Sequence, residues 1–76
     1  MSLIATTVDA RGQSCPGPIV SLFAAMKGAR AGDVFELLAT DPGSKTDVPS
    51  WATISGNELV EAEDRGSEFR YVIRKA

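Results

Sequence analysis

The stretch Ser14-Cys15-Pro16-Gly17-Pro18 holds the most reactive group of this chain, which is also its single cysteine. A thiolate is a nucleophile and a metal ligand, and how strongly it acts depends on what surrounds it. The chain has no histidine. A Cys-His couple, a Ser-His-Asp triad and a Cys/His zinc site are therefore excluded within this chain, and one cysteine makes no internal disulfide. Cys15 either does chemistry at its sulfur without a neighbouring base, or does none.

The residues around Cys15 describe the start of a helix. Proline is favoured at the first helical position, and a second proline two residues on still lies in the turn whose N–H groups lack intrahelical partners. This predicts Cys15 as N-cap or first-turn residue, with Pro16 and Pro18 stiffening that turn. The prolines remove two donors, which leaves the Gly17 and Ile19 N–H groups to face a thiolate, and Gly17 permits close approach of a partner's backbone. A helix end contributes about 0.3–1 kcal/mol to a charge, up to ~2 when partly buried, against ~1.4 kcal/mol per tenfold change in ionisation. The thiol is then primed but not fully ionised. Arg11, across the Gly12 turn, is a candidate second positive charge. The pattern alone leaves two readings open: a nucleophilic thiol, or a cysteine that acts as a small inert apolar residue.

The elements that position this segment follow from periodicity. Leu3 to Ala10, rich in Thr, Val and Ile, reads as a strand ended by the Asp9-Ala10-Arg11-Gly12 turn, with residues 1–3 expected to fray. From Pro16 to Arg30, Ile19, Leu22, Phe23, Met26 and Ala29 recur at helical spacing, with Gly32 as the stop and Lys27 and Arg30 complementing the helix end. Val34 to Thr40 is a strand with Phe35, Leu37 and Ala39 on one face and Val34, Glu36, Leu38 and Thr40 on the other. Asp41-Pro42-Gly43-Ser44 is a turn. Ser44 and Asp47 then resemble a capping box opening a helix whose face is Val48, Trp51, Ala52 and Ser55, with Pro49 early in it and Gly56-Asn57 closing it. Leu59 to Glu63 and Glu68 to Lys75 form a hairpin around Asp64-Arg65-Gly66-Ser67, with Phe69, Tyr71 and Ile73 alternating with Glu68, Arg70 and Val72.

The order is βαβαββ, which predicts an α/β (α+β) two-layer sandwich: a mixed four-stranded sheet with two helices packed on one face and the other face partly wet. At 76 residues and 8.0 kDa the chain, 1–76, reads as a single domain. Its net charge of −2 argues against nucleic acid or anionic membrane as direct partner. No Gly-x-x-x-x-Gly-Lys phosphate loop is present. The longest uncharged stretch, Gly12 to Met26, carries two prolines and is no membrane span or secretory core, which makes the cytoplasm the expected compartment. Asp9, Asp41 and Asp47 lack metal-site spacing, so no metal is expected, and Trp51 is expected in the core.

Taken together, Asp9-Ala10-Arg11-Gly12, Cys15-Pro16-Gly17-Pro18, Gly32-Asp33-Val34, Ala39-Thr40-Asp41-Pro42-Gly43, Pro49 to Trp51 and Gly56-Asn57-Glu58-Leu59 resemble the TusA/SirA family of small sulfur-carrier proteins over nearly the whole chain. The resemblance implies the same βαβαββ sandwich, no cofactor, and a motif cysteine, here Cys15, that receives sulfane sulfur as a persulfide and relays it. Pro16, Gly17, Pro18, Arg11, Gly12 and Asp41 fall on the supporting positions. The implied partners are a sulfur donor of the cysteine desulfurase or rhodanese type and a downstream acceptor protein. The implied setting is tRNA thiolation, cofactor sulfur supply or dissimilatory sulfur metabolism, and the role is that of a relay rather than a turnover enzyme. Many members carry basic residues in the helix after the motif. Here Ser21 and Leu22 intervene and Lys27 is the first basic side chain, and the Cys-Pro-Gly-Pro-Ile form resembles members linked with sulfur oxidation or fused to thiol oxidoreductases more than the tRNA-thiolation carrier.

Overall fold

The computed structural model describes residues 4–14 and 16–76; the fraying expected of residues 1–3 and every expectation placed on Cys15 itself lie outside the described residues. The elements are β1 (Ile4–Ala10), α1 (Gly17–Met26), β2 (Val34–Ala39), α2 (Ser44–Ser55), β3 (Glu58–Asp64) and β4 (Phe69–Arg74). They form the two-layer sandwich that the βαβαββ order predicts.

The four strands lie in the order β1-β2-β4-β3. β1 and β2 are parallel, as a helical crossover requires, and β4 runs antiparallel to both β2 and β3. Alternation sends Val8, Ala10, Phe35, Leu37, Ala39, Phe69, Tyr71 and Ile73 to the face covered by the helices, where Leu22, Met26 and Val48 meet them. Leu22, Leu37 and Ile73 are fully buried. Each such side chain stabilises the fold by about 1.5–3 kcal/mol relative to exposure.

The other face carries charged rungs. Arg70 bridges Glu36 and Glu61, Arg74 pairs with Glu58, and Thr7 donates to Glu36 at 3.0 Å. Val72 and Val34, expected on a wet surface, are buried there. The register sets Val72 beside Glu36 and Glu61, and Val34 beside Arg74, so the stems of these long side chains cover the valines.

Several boundaries differ from expectation. α1 ends at Met26, with Lys27 as its C-cap and Gly28 in the left-handed region (φ +84°) just beyond. Gly28 is therefore the stop, and Gly32 serves the turn before β2. Phe23 is 60% exposed, because α1 buries a stripe through Pro18, Leu22 and Met26, and Phe23 lies about 100° round the helix from Leu22. Trp51 is only half-buried, against the core's edge, and Ser55 is exposed. No capping box forms: Gly43 is the N-cap of α2, and Ser44, inside the first turn, is buried with its hydroxyl 2.8 Å from the Tyr71 hydroxyl. Gly56, in the left-handed region, closes α2 as expected.

Candidate functional site at the start of the first helix

Parallel β1 and β2 finish at the same end of the sheet, where Ala10 pairs with Ala39, Ala39 with Phe69 and Phe69 with Asp64. The motif loop after β1, the 40–43 turn after β2 and the 65–68 turn between β3 and β4 therefore share one end. Gly12, at φ +81°, turns the chain out of β1, and its N–H donates to the Thr40 hydroxyl at 2.9 Å. That bond fastens the motif loop to the loop carrying Asp41.

The helix start is built from the motif's own residues. Pro16 is the N-cap, the place expected for Cys15, and its carbonyl accepts the Val20 N–H at 3.0 Å. Pro18, at the second helical position, is buried and anchors the turn on the core. The Gly17 N–H bonds the Ser14 carbonyl at 2.7 Å. This overturns the expectation that the Gly17 N–H serves a thiolate, since the donor is already engaged by Ser14. Ser14 and Pro16, on either side of Cys15, are exposed.

Gly17 lies close against Gln13. A Cβ at Gly17 would stand 2.9 Å from the Gln13 Cβ and 3.0 Å from its Oε1. That Oε1 accepts the Ser21 hydroxyl at 3.0 Å, so Gln13 straps the loop to α1.

Arg11 does not stand as an uncompensated cation. Its Nε and Nη2 grip both carboxylate oxygens of Asp9 at 2.8 Å each, and its Nη1 reaches Glu68 at 3.2 Å. The guanidinium holds the Asp9 carboxyl down to about 2, and the two carboxylates raise the arginine in return. Arg65 continues the chain to Glu63 and Glu68, and Lys45 pairs with Asp64 at 3.2 Å. The Asp64 carboxyl is lowered by the Gly66 N–H and by Lys45.

Asp41 is half-buried, and its carbonyl accepts the Ser44 N–H at 3.0 Å, which gives the turn expected there. A cleft of about 170 Å³ is lined by Phe69, Tyr71, Pro49 and Ala62 together with Lys45, Glu63 and Asp64. Burial pushes the Tyr71 phenol up. The residues that sequence reasoning missed are Gln13, Thr40, Tyr71 and Glu68. Their partners lie 8 to 57 positions away, and no local motif announces such pairs.

The architecture is a two-layer α/β sandwich: one open-faced sheet, two helices, and a Cys-Pro-x-Pro segment leading into α1 at the end where the parallel strands finish. The family model for Sulfurtransferase TusA matches residues 6–75, and the chain belongs to that family. It is 38% identical over 69 residues to the sulfur carrier protein TusA of Allochromatium vinosum, covering 91% of each chain. It is 35% identical over 69 residues to the sulfur carrier protein TusA of Pseudomonas entomophila, covering 91% of this chain and 86% of that one. A crystal structure of a SirA-like protein from Desulfitobacterium hafniense superposes with a TM-score of 0.78 at 27% identity, covering 91% of this chain and 95% of that one.

Proposed function

We propose that this chain is a sulfur carrier that accepts sulfane sulfur on Cys15 as a persulfide and hands it to a partner protein. The observation that carries the reading is the placement of the chain's single thiol in a Cys-Pro-Gly-Pro segment whose prolines occupy the N-cap and second position of α1. In the transfer step the Cys15 thiolate attacks the outer sulfur of a donor persulfide. The new S–S bond forms on Cys15, the donor's S–S bond breaks, and the donor cysteine leaves as a thiolate. The proton on the outer sulfur travels with it. No oxidant, reductant or general base is consumed, which suits a chain without histidine. With no second cysteine, a persulfide on Cys15 has no internal thiol to discharge it.

Within this reading residues 1–76 act as one domain in the cytoplasm; among the described residues no helix is long and apolar enough to cross a membrane. Pro16, Pro18 and Gly17 shape the turn that presents the sulfur; Gly12 and Asp41 hold the adjoining loops. Arg11 braces the loop to the β3–β4 turn. The donor is a cysteine desulfurase or rhodanese-type protein and the acceptor a second carrier, in dissimilatory sulfur metabolism, tRNA thiolation or cofactor supply.

The test is mass spectrometry of the intact protein after incubation with a rhodanese and thiosulfate, or with a cysteine desulfurase and cysteine. One added sulfur atom, removed by reductant and absent in Cys15→Ser, is expected. A protein that stays unmodified with both donors, or a Cys15→Ser variant that still gains sulfur, overturns the proposal.

A further inference from the structure

The charges of this chain are sorted along the sheet, although the sequence scatters them. At the end shared by the motif loop and the 40–43 and 65–68 turns stand Asp9, Asp41, Asp47, Glu63, Asp64 and Glu68 against Arg11, Lys45 and Arg65. That end holds an excess of three negative charges. At the opposite end Lys27, Arg30, Arg74 and Lys75 outnumber Asp33 and Glu58, an excess of two positive charges. Arg70, Glu36 and Glu61 lie between. Each cation of the acidic end is tied to a carboxylate within 3.6 Å: Arg11 to Asp9 and Glu68, Arg65 to Glu63 and Glu68, and Lys45 to Asp64.

An approaching surface therefore meets an acidic pole around an apolar cleft, where Glu63 and Asp64 adjoin Phe69 and Tyr71. Cys15 lies four residues from Arg11, within about 14 Å of it by chain length alone. That is well inside the screening distance of ~30 Å at 10 mM salt.

Resting on the sulfur-carrier reading, we propose that this pole selects partners of opposite sign: the donor or acceptor meets it with a lysine- and arginine-rich face around its own sulfur-bearing group. Complementary fields of this kind raise encounter rates about 10- to 1,000-fold and suppress like-charged partners. A partner with an acidic face around its reactive sulfur is turned away.

The test uses the whole protein and two activated peptides in place of a partner. Both carry one cysteine as its 2-thiopyridyl disulfide, flanked by lysines in one and by glutamates in the other. The Cys15 thiolate attacks the peptide sulfur, the bond to the pyridyl sulfur breaks, and the released thiolate takes a proton to become 2-thiopyridone, followed by absorbance. Rates are divided by those of neutral 2-mercaptoethanol with the same peptides. We expect the lysine peptide to react at least about tenfold faster at ~10 mM salt, with the preference shrinking to about twofold near 0.5 M. The Glu63→Gln/Glu68→Gln protein, with the excess cut from three to one, is expected to lose most of the preference. Equal normalised rates at low salt, or a preference that salt leaves unchanged, overturn the inference even if the double variant fails to fold. A thiol that reacts with neither peptide strikes instead at the sulfur-carrier reading.

Discussion

Tyr71→Phe is the sharpest probe of how the site end is held together. Ser44 is 2% exposed and Tyr71 3%, and their hydroxyls, 2.8 Å apart, tie the first turn of α2 to β4. Removing the phenol oxygen leaves the serine hydroxyl buried without its partner, a loss of about 1–3 kcal/mol. Ser44→Ala strands the phenol oxygen in the same way. The double variant Ser44→Ala/Tyr71→Phe removes both groups at once, so it should cost clearly less than the sum of the singles, with a coupling of about 1 kcal/mol. In a domain of this size each kcal/mol lowers the melting temperature by about 4–8 °C. The assay is urea unfolding followed by the fluorescence of Trp51, the single tryptophan, which packs at the edge of the core. Singles that lose less than ~0.5 kcal/mol, or a double variant equal to their sum, would refute the argument that the pair is mutually dependent.

Two further outcomes follow from the same structure. The Glu36 carboxyl lies below its ordinary value, chiefly through its hydrogen bond to Arg70. A folded value below the unfolded one means stability that is present above the ordinary carboxylate range and lost as pH falls through the folded value. Glu36→Gln should thus lower stability at pH 7 and flatten its decline on acidification below pH ~4.5; thermal melts across that window that run parallel to the unmutated protein would contradict this. Gly17→Ala should destabilise, despite alanine's helix preference of up to ~1 kcal/mol, because its Cβ meets the Gln13 Cβ at 2.9 Å. Adding Gln13→Gly should recover most of the loss in chemical denaturation, and a stabilised Gly17→Ala protein would show that the contact is not restrictive.

The strand and helix order was legible because each element repeats its apolar residues at its own period: Phe35, Leu37 and Ala39 every second residue, Leu22 and Met26 every fourth. Phe23 misleads because the α1 stripe that two helices on one sheet can bury is narrow, and its width depends on the neighbour's position. Ser44 misleads for a different reason. A serine three residues before an acidic residue matches a helix-start pattern, yet the buried phenol of Tyr71, far along the chain, claims its hydroxyl. At the candidate site, Gly12 and the two prolines were readable from backbone chemistry. The commitments of Arg11 to Asp9 and Glu68, and of the Gly17 N–H to Ser14, depend on how a loop closes and on a turn contributed by the other end of the chain.

The ladder of Arg70, Arg74, Glu36, Glu58 and Glu61 over Val34 and Val72 bears on how so short a chain stays folded. A sheet with helices on one side leaves half its surface without a covering layer. Here the hydrocarbon stems of the charged residues act as a roof one side chain thick. Apolar surface goes under cover while the charged tips pair above it. The roof's cohesion is partly electrostatic and partly hydrocarbon, so salt should loosen the pairing of the tips and leave the shelter of the stems intact.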